Sequence, residues 1–274
     1  MGHLPKLIWL YILFLVSEQP GNAQTSEKPI VVVIPSYENK DWYQRNLDSV
    51  LTQNYGNFRV IYIDDASPDG TGALVTTYLQ EKNAQNKVTI IHNPSRLGAL
   101  ANVYQGIWLC DPHEIVANLD GDDWFPHDHV LSKLDEVYSD PDVWATYGQF
   151  VYYPCGTPGW AAEVPLAVIE NNTFREKPWI TTALRTFYAG LFHKIQIEDL
   201  LFQGEFFQMA GDLAYMWPIV EMASHHSRFI PDVLYVYNIR TPLNDYKTNL
   251  GYQKVLEKIL RLKPPYLPVE NPYD

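Results

Sequence analysis

The chain has 274 residues, 46% hydrophobic and 19% charged, a globular balance long enough for one large domain with a substantial core. Acidic residues outnumber basic ones by 32 to 20, and the formal net charge of -12 argues against a nucleic-acid partner because no basic stripe is available to displace phosphate counterions. The two cysteines, Cys110 and Cys155, are too few and too far apart for a zinc site, and either pair or stay as free thiols.

Lys6 precedes an apolar run from Leu7 to Val16, followed by polar residues and the small-residue stretch Gly21-Asn22-Ala23. Residues 1–23 therefore read as a secretory signal peptide, which places the protein in the secretory pathway or outside the cell. The run falls short of the roughly twenty apolar residues that cross a bilayer, so membrane contact is confined at most to this segment. An uncleaved anchor and a buried N-terminal helix are the competing readings. Asn171-Asn172-Thr173 is an acceptor sequon in a host that glycosylates.

From Lys28 strand and helix patterns alternate, through a domain spanning 29–262. Ile30-Val31-Val32-Val33-Ile34 is a continuous β-branched run, as in a parallel strand covered on both faces, and Pro35-Ser36 ends it. Tyr43, Leu47, Val50 and Leu51 fall on one face of a helix. Phe58 to Ile63 reads as a second strand that stops at Asp64-Asp65, and Leu74, Val75, Tyr78 and Leu79 line the next helix. Val88 to Ile91 is a third strand, Gly98 to Trp108 a third helix, and Glu114 to Leu119 a fourth strand. Four such alternations predict an α/β fold with a mostly parallel central sheet and helices on both faces.

The fourth strand ends in Asp120-Gly121-Asp122-Asp123, three carboxylates in four positions. Charges this close resist joint ionisation, so either some are protonated or a cation offsets them, and oxygen-only ligands favour Mg²⁺ or Mn²⁺. The competing reading is an acidic turn, with Asp123 capping the following helix. Ligands of open α/β sheets bind at the carboxyl ends of strands. Here those ends carry Pro35-Ser36-Tyr37-Glu38, Asp64-Asp65, His92-Asn93 and Asp120-Gly121-Asp122. No G-x-G-x-x-G follows the first strand and no G-x-x-x-x-G-K-[ST] occurs, which disfavours a nicotinamide dehydrogenase and a P-loop NTPase.

Four segments in register, Val33-Ile34-Pro35-Ser36-Tyr37-Glu38, Ile63-Asp64-Asp65-Ala66-Ser67-Pro68-Asp69-Gly70-Thr71, Arg96-Leu97-Gly98 with Asn102, and Leu119-Asp120-Gly121-Asp122-Asp123, resemble the family 2 glycosyltransferases with the GT-A fold. The resemblance implies inverting transfer of a sugar from a nucleotide sugar, usually a UDP-sugar, to an acceptor hydroxyl, the acceptor being a glycan, glycoprotein or lipid. It also implies that Asp65 faces the uracil, that the backbone from Pro35 to Tyr37 walls the base, and that Glu38 lies near the ribose. Asp122 would ligate a divalent metal, with Asp120 on the ribose or a metal-bound water, in keeping with the charge a departing diphosphate leaves behind. The alternatives are a cap or turn for Asp65 and a solvated loop acid for Glu38. Arg96 is one of few cations near the site and either meets a phosphate oxygen or is a surface arginine. Asn102 reads as structural.

In the second half, Thr146 to Tyr153 is strand-like and leads to an irregular loop with Pro154, Gly156, Pro158, Gly159 and Trp160. Trp160 and Trp179 are candidates for stacking on a sugar, though packing is the commoner role. Ile180 to Ile195 is helical in pattern, with Leu184, Phe187, Leu191 and Phe192 on one face. Inversion needs a base, and Asp212 in the first turn of a helix starting near Gly211 is the candidate, a helix cap being the alternative. Gly211 stands where the family usually has Glu. Asp232 to Tyr237 reads as the last strand, without the histidine that many relatives place after it, so either Asn238, Asn244 and Asp245 offer substitute oxygen ligands or donor phosphates and water complete the metal shell. A helix from Gly251 to Leu262 and an extended Pro-rich tail, 263–274, close the chain. The function so predicted is a metal-dependent inverting glycosyltransferase. A catalytically inactive binding relative and a nucleotidyltransferase are the alternatives.

Overall fold

In the computed structural model, residues 27–242 and 245–274 are described; the leader, Asn244 and the side chain of Asp245 lie outside what is described. The chain runs β1 (Ile30–Ser36), α1 (Tyr43–Leu51), β2 (Phe58–Asp64), α2 (Thr71–Glu81), β3 (Val88–His92), α3 (Ala99–Ile107), β4 (Ile115–Asn118), α4 (Val130–Tyr138) and β5 (Ala145–Tyr153). It continues through α5 (Leu166–Glu170), β6 (Arg185–Tyr188), α6 (Ala189–His193), the short hairpin β7 (Leu201–Phe202) and β8 (Glu205–Phe206), α7 (Gly211–Ala223), β9 (Ser227–Asn238) and α8 (Asp245–Leu262).

Seven strands form one sheet in the order β3-β2-β1-β4-β6-β5-β9. Only β6 opposes its neighbours; the other contacts are parallel. The fold class read from the sequence therefore holds, and the β-branched run explains its centre, since every residue of β1 is buried. Strand order reverses between β1 and β4, which opens a crevice beyond their carboxyl ends. Gly106 lets α3 lie against β1: a Cβ there would stand 2.6 Å from Val33 Cγ1.

One expected element is wrong. The segment from Ile180 to Ile195 is not a single helix but β6 followed by the five-residue α6. All four residues of β6 are buried, so the period-two alternation that marks a strand is absent, and Leu184, Phe187, Leu191 and Phe192 mimic a helical face. Two smaller departures concern exposure: Leu74 and Trp108 are exposed, where a helical stripe would bury them. Residues 263–274 contain no helix or strand but are tied to the body, with Val269 N–H donating to Met222 O and the Tyr266 hydroxyl to Asp199. The cysteines do not pair: Cys110 is buried, its thiol pushed up to about 12 by desolvation, and Cys155 is exposed. Among the described residues no helix is long and apolar enough to cross a membrane.

Candidate active site

The polar strand ends converge on one cavity of about 950 Å³, lined at one end by Pro35, Tyr37, Asp65 and Arg96 and in the middle by Asp120, Asp122, Arg185 and Asp212. At the first end the β1 terminus is fixed by a chain of buried hydroxyls and amides. Tyr62 donates to Ser36 Oγ at 2.7 Å, as does Asn39 Nδ2 at 3.0 Å, while Asn39 N–H reaches Thr71 Oγ1. The Arg96 guanidinium stands 3.9 Å from the centre of the Tyr37 ring, a cation–π pair at the cavity wall. Glu38 is held in the left-handed region at φ 56° with its N–H on Ser67 Oγ, and it is not among the lining residues. Its carboxylate instead sits beside the Tyr37 hydroxyl, whose pKa is raised by desolvation and then by this contact.

Asp65 is 1% exposed and accepts three hydrogen bonds of 2.8 Å, from Asn93 Nδ2 and Leu97 N–H on Oδ1 and from Gly98 N–H on Oδ2. Two ionised carboxylate oxygens offer about four lone-pair sites, so one acceptor position remains for a ligand N–H. Asn102 Oδ1 receives the other bond of Asn93 Nδ2, at 2.7 Å, and so supports the loop.

The acidic loop follows β4 and is clamped from both sides. Asn46 of α1 donates to the carbonyls of Asp120 and Asp123, and Gly121 N–H donates to Pro35 O. Gly121 is required by contact: a Cβ would lie 2.7 Å from both Ser36 Cβ and Asn39 Nδ2. Asp123 is turned inward, accepting from the Tyr235 hydroxyl at 2.5 Å and from Asn238 N–H at 2.6 Å, so it holds the loop. Asn238 is likewise committed, donating to Asp122 O and accepting from Arg240 N–H, and it does not line the cavity. Burial and then the Asp120 charge push the Asp122 carboxyl up to about 7. No hydrogen bond from another side chain is seen on the Asp122 carboxylate among the described residues.

Across the cavity, Ala210 enters α7 in the left-handed region and the first turn carries Asp212. A Cβ built on Gly211 would stand 3.1 Å from Leu100 Cβ of α3, so α7 begins in close contact with α3. Asp212 Oδ1 accepts from Leu213 N–H, a backbone group of the first turn, at 3.0 Å, and Oδ2 faces Arg185. Its pKa is raised, by desolvation foremost and by Asp120, against the lowering effect of Arg185. Arg185 is the residue that sequence reasoning missed. It is 7% exposed and pairs with Asp212 at 3.1 Å and Asp120 at 3.5 Å. The antiparallel register of β6 on β4 sets Arg185 opposite Asn118, two residues before Asp120. A lone arginine within an apolar run was the only signal for it.

Arg185 pairs with Asp120 and Asp212, while Asp122 lines the same cavity beside Asp120 without an ion-pair partner among the described residues, and the excess negative charge suits a cation. No group of three or more His, Cys, Asp or Glu among the described residues forms a complete protein cage. Two carboxylates with ligand phosphates and water are the usual shell of Mg²⁺ in such sites, so Asp120 and Asp122 fit a divalent ion of that kind.

Residues 31–198, well over half of the chain, match the family described as glycosyl transferase family 2, and the chain belongs to that family. Among curated relatives it is 25% identical over 226 residues to the glycosyltransferase GlyG of Streptococcus pneumoniae, covering 77% of this chain and 71% of GlyG. It is 23% identical to the glycosyltransferase GlyA of the same organism, covering 77% of this chain but only 30% of GlyA. In fold it is similar to S. aureus TarS 1-349 in complex with UDP, with a TM-score of 0.59 at 18% identity over 78% of this chain and 61% of that one. The mannosyltransferase PcManGT from Pyrobaculum calidifontis, solved with GDP-Man and Mn²⁺, gives a TM-score of 0.59 at 19% identity, covering 88% of this chain and 67% of its own.

Proposed function

We propose that this chain is a metal-dependent inverting glycosyltransferase whose donor is a nucleotide sugar, a UDP-sugar in the first instance, and whose base is Asp212. The observation that carries the reading is the convergence on one cavity of a base-binding wall at Tyr37, Asp65 and Arg96 and a carboxylate pair, Asp120 and Asp122, with Asp212 facing them through Arg185.

The nucleobase stacks along Tyr37 and Arg96 and uses the acceptor position left open on Asp65. Asp120 and Asp122 hold Mn²⁺ or Mg²⁺, which when bound offsets charge on the diphosphate as it departs. Asp212 takes the proton of the acceptor hydroxyl while its oxygen attacks the anomeric carbon from the side opposite the leaving diphosphate, so configuration inverts. The raised pKa of Asp212 makes it a stronger base than an exposed aspartate, and Arg185 opposes part of that rise. The apolar leader adds the proposal that this chemistry takes place in a secretory compartment or outside the cytosol.

Donor hydrolysis screened across nucleotide sugars with Mn²⁺ tests the reading. Turnover of one donor, lost in chelator and restored by Mn²⁺, is the expected result. Donor binding with no turnover under any condition would replace the enzyme with an inactive binding relative.

A further inference from the structure

The same cavity has a further stretch of lining that the donor reading leaves unused. Its wall is built from the ends of β5 and β9: Phe150 and Tyr152 meet edge to face at 5.1 Å, and Tyr152 and Tyr237 at 5.8 Å. Over them lies Trp160, 54% exposed yet fixed in place. Its Nε1–H donates to Trp179 O at 3.1 Å, its ring stands edge-on to Phe150 at 5.2 Å, and the preceding Gly159 is pressed so closely onto Phe150 that a Cβ would come within 2.2 Å of the ring. A rigid indole left open inside a cavity is a platform waiting for a flat apolar face.

From this we infer that the acceptor is an uncharged saccharide, with one pyranose ring stacked on Trp160 and a hydroxyl donated to Gln253, an inference that rests on the glycosyl-transfer reading above. Pyranose rings present apolar C–H faces and hydroxyl edges, and the wall offers both kinds of surface. Around the aromatic platform the lining is Thr157, Thr182, Thr241, Gln253 and Glu257, with Ile239 as the aliphatic member. The buried side-chain oxygen of Gln253 has no partner among the described residues, and a sugar hydroxyl supplies one. A lipid chain would strand these polar groups without hydrogen bonds. A phosphodiester polymer meets the wrong charge: among the described lining residues the cations are Arg96, stacked at the nucleotide end, and Arg185, already paired with two carboxylates. The net charge of -12 adds to the repulsion.

Saturation-transfer NMR on the full domain, run without donor, compares methyl hexopyranosides and methyl N-acetylhexosaminides with a glycerol-phosphate oligomer, farnesyl phosphate and a Ser/Thr peptide. The expected result is saturation of the ring C–H protons of a neutral glycoside, lost in Trp160→Ala and partly kept in Trp160→Phe. In transfer assays Trp160→Ala raises the KM of that glycoside by about three- to tenfold, the size of one aromatic stack, while calorimetric donor affinity stays at the parent value. Gln253→Ala raises the same KM. Binding of neutral glycosides that Trp160→Ala leaves intact, or preference for the phosphate oligomer, the lipid or the peptide, overturns the proposal. So does a protein that binds donor but none of the neutral sugars. Loss of donor binding in the parent protein instead sinks the glycosyl-transfer reading, because the NMR arm does not depend on it.

Discussion

Arg185 and Asp212 form an ion pair at 3.1 Å across the cavity, and the same guanidinium reaches Asp120 at 3.5 Å. The proposed base and the proposed metal-binding loop, which are far apart in the chain, are therefore held in one charge network. Because Arg185 lowers the Asp212 pKa that burial raises, removing it leaves the base protonated to higher pH. The acid limb of the pH–rate profile should move upward in Arg185→Gln and return most of the way in Arg185→Lys. Arg185→Gln should also cost about 1–3 kcal/mol of stability, read by urea unfolding, since two carboxylates lose their partner. An unmoved acid limb would separate Arg185 from the base.

Asp212→Asn keeps the shape and removes the proton acceptor. Transfer should fall by about a hundredfold to ten-thousandfold, the usual contribution of a general base, with donor affinity by calorimetry nearly unchanged. Retained transfer removes Asp212 from the mechanism. Loss of donor binding together with transfer assigns it to the donor site.

The carboxyl of Asp122 is raised to about 7 by burial and by Asp120. Between about pH 4 and about pH 7 the folded protein therefore binds this proton more tightly than the unfolded chain does, so the metal-free protein should lose stability as pH rises through that window. Mn²⁺ competes with the proton, and its stabilising Tm shift should be large at pH 8 and small at pH 5. Asp122→Asn should abolish the Mn²⁺ shift while folding as the parent does. A shift that persists in this variant would place the ion elsewhere.

Gly121 is the residue where the loop touches the end of β1. In Gly121→Ala the added Cβ meets Ser36 and Asn39 at 2.7 Å, both buried, and the loop must move. A loss of about 1–3 kcal/mol together with weaker Mn²⁺ and donor binding is expected, measured by unfolding and calorimetry on the same preparation. A silent substitution would mean that the loop has slack at this point.

Tyr235→Phe removes the donor to the inward-facing Asp123, whose carboxyl burial already raises well above its ordinary value. The cost should be about 1–3 kcal/mol, and the metal affinity of the neighbouring Asp120 and Asp122 should fall with it. Unchanged stability would show that Asn238 alone suffices to anchor the loop.

Local composition determined much of this protein. The β-branched runs at Ile30 to Ile34 and Phe58 to Ile63 carry the parallel sheet because strands covered on both faces need no polar residues, and the polar residues that end them mark the edge where ligands bind. Asp65, Asp120, Asp122 and Asp212 were each legible beside a break in an apolar pattern, and Tyr37 and Arg96 through the family resemblance. Tertiary structure decided the rest, because those features depend on register and not on neighbours in sequence. Arg185 reaches Asp120 and Asp212 only through the antiparallel pairing of β6 with β4, on a strand so fully buried that its own periodicity imitates a helix. Asn46 and Tyr235 clamp the acidic loop from 74 and 115 residues away. Trp160 and Gln253 line one cavity only because β5 pairs with β9 and α8 brings Gln253 and Glu257 to the same space. A side chain's partner across a sheet is fixed by how strands pair, and no window of local sequence contains that information.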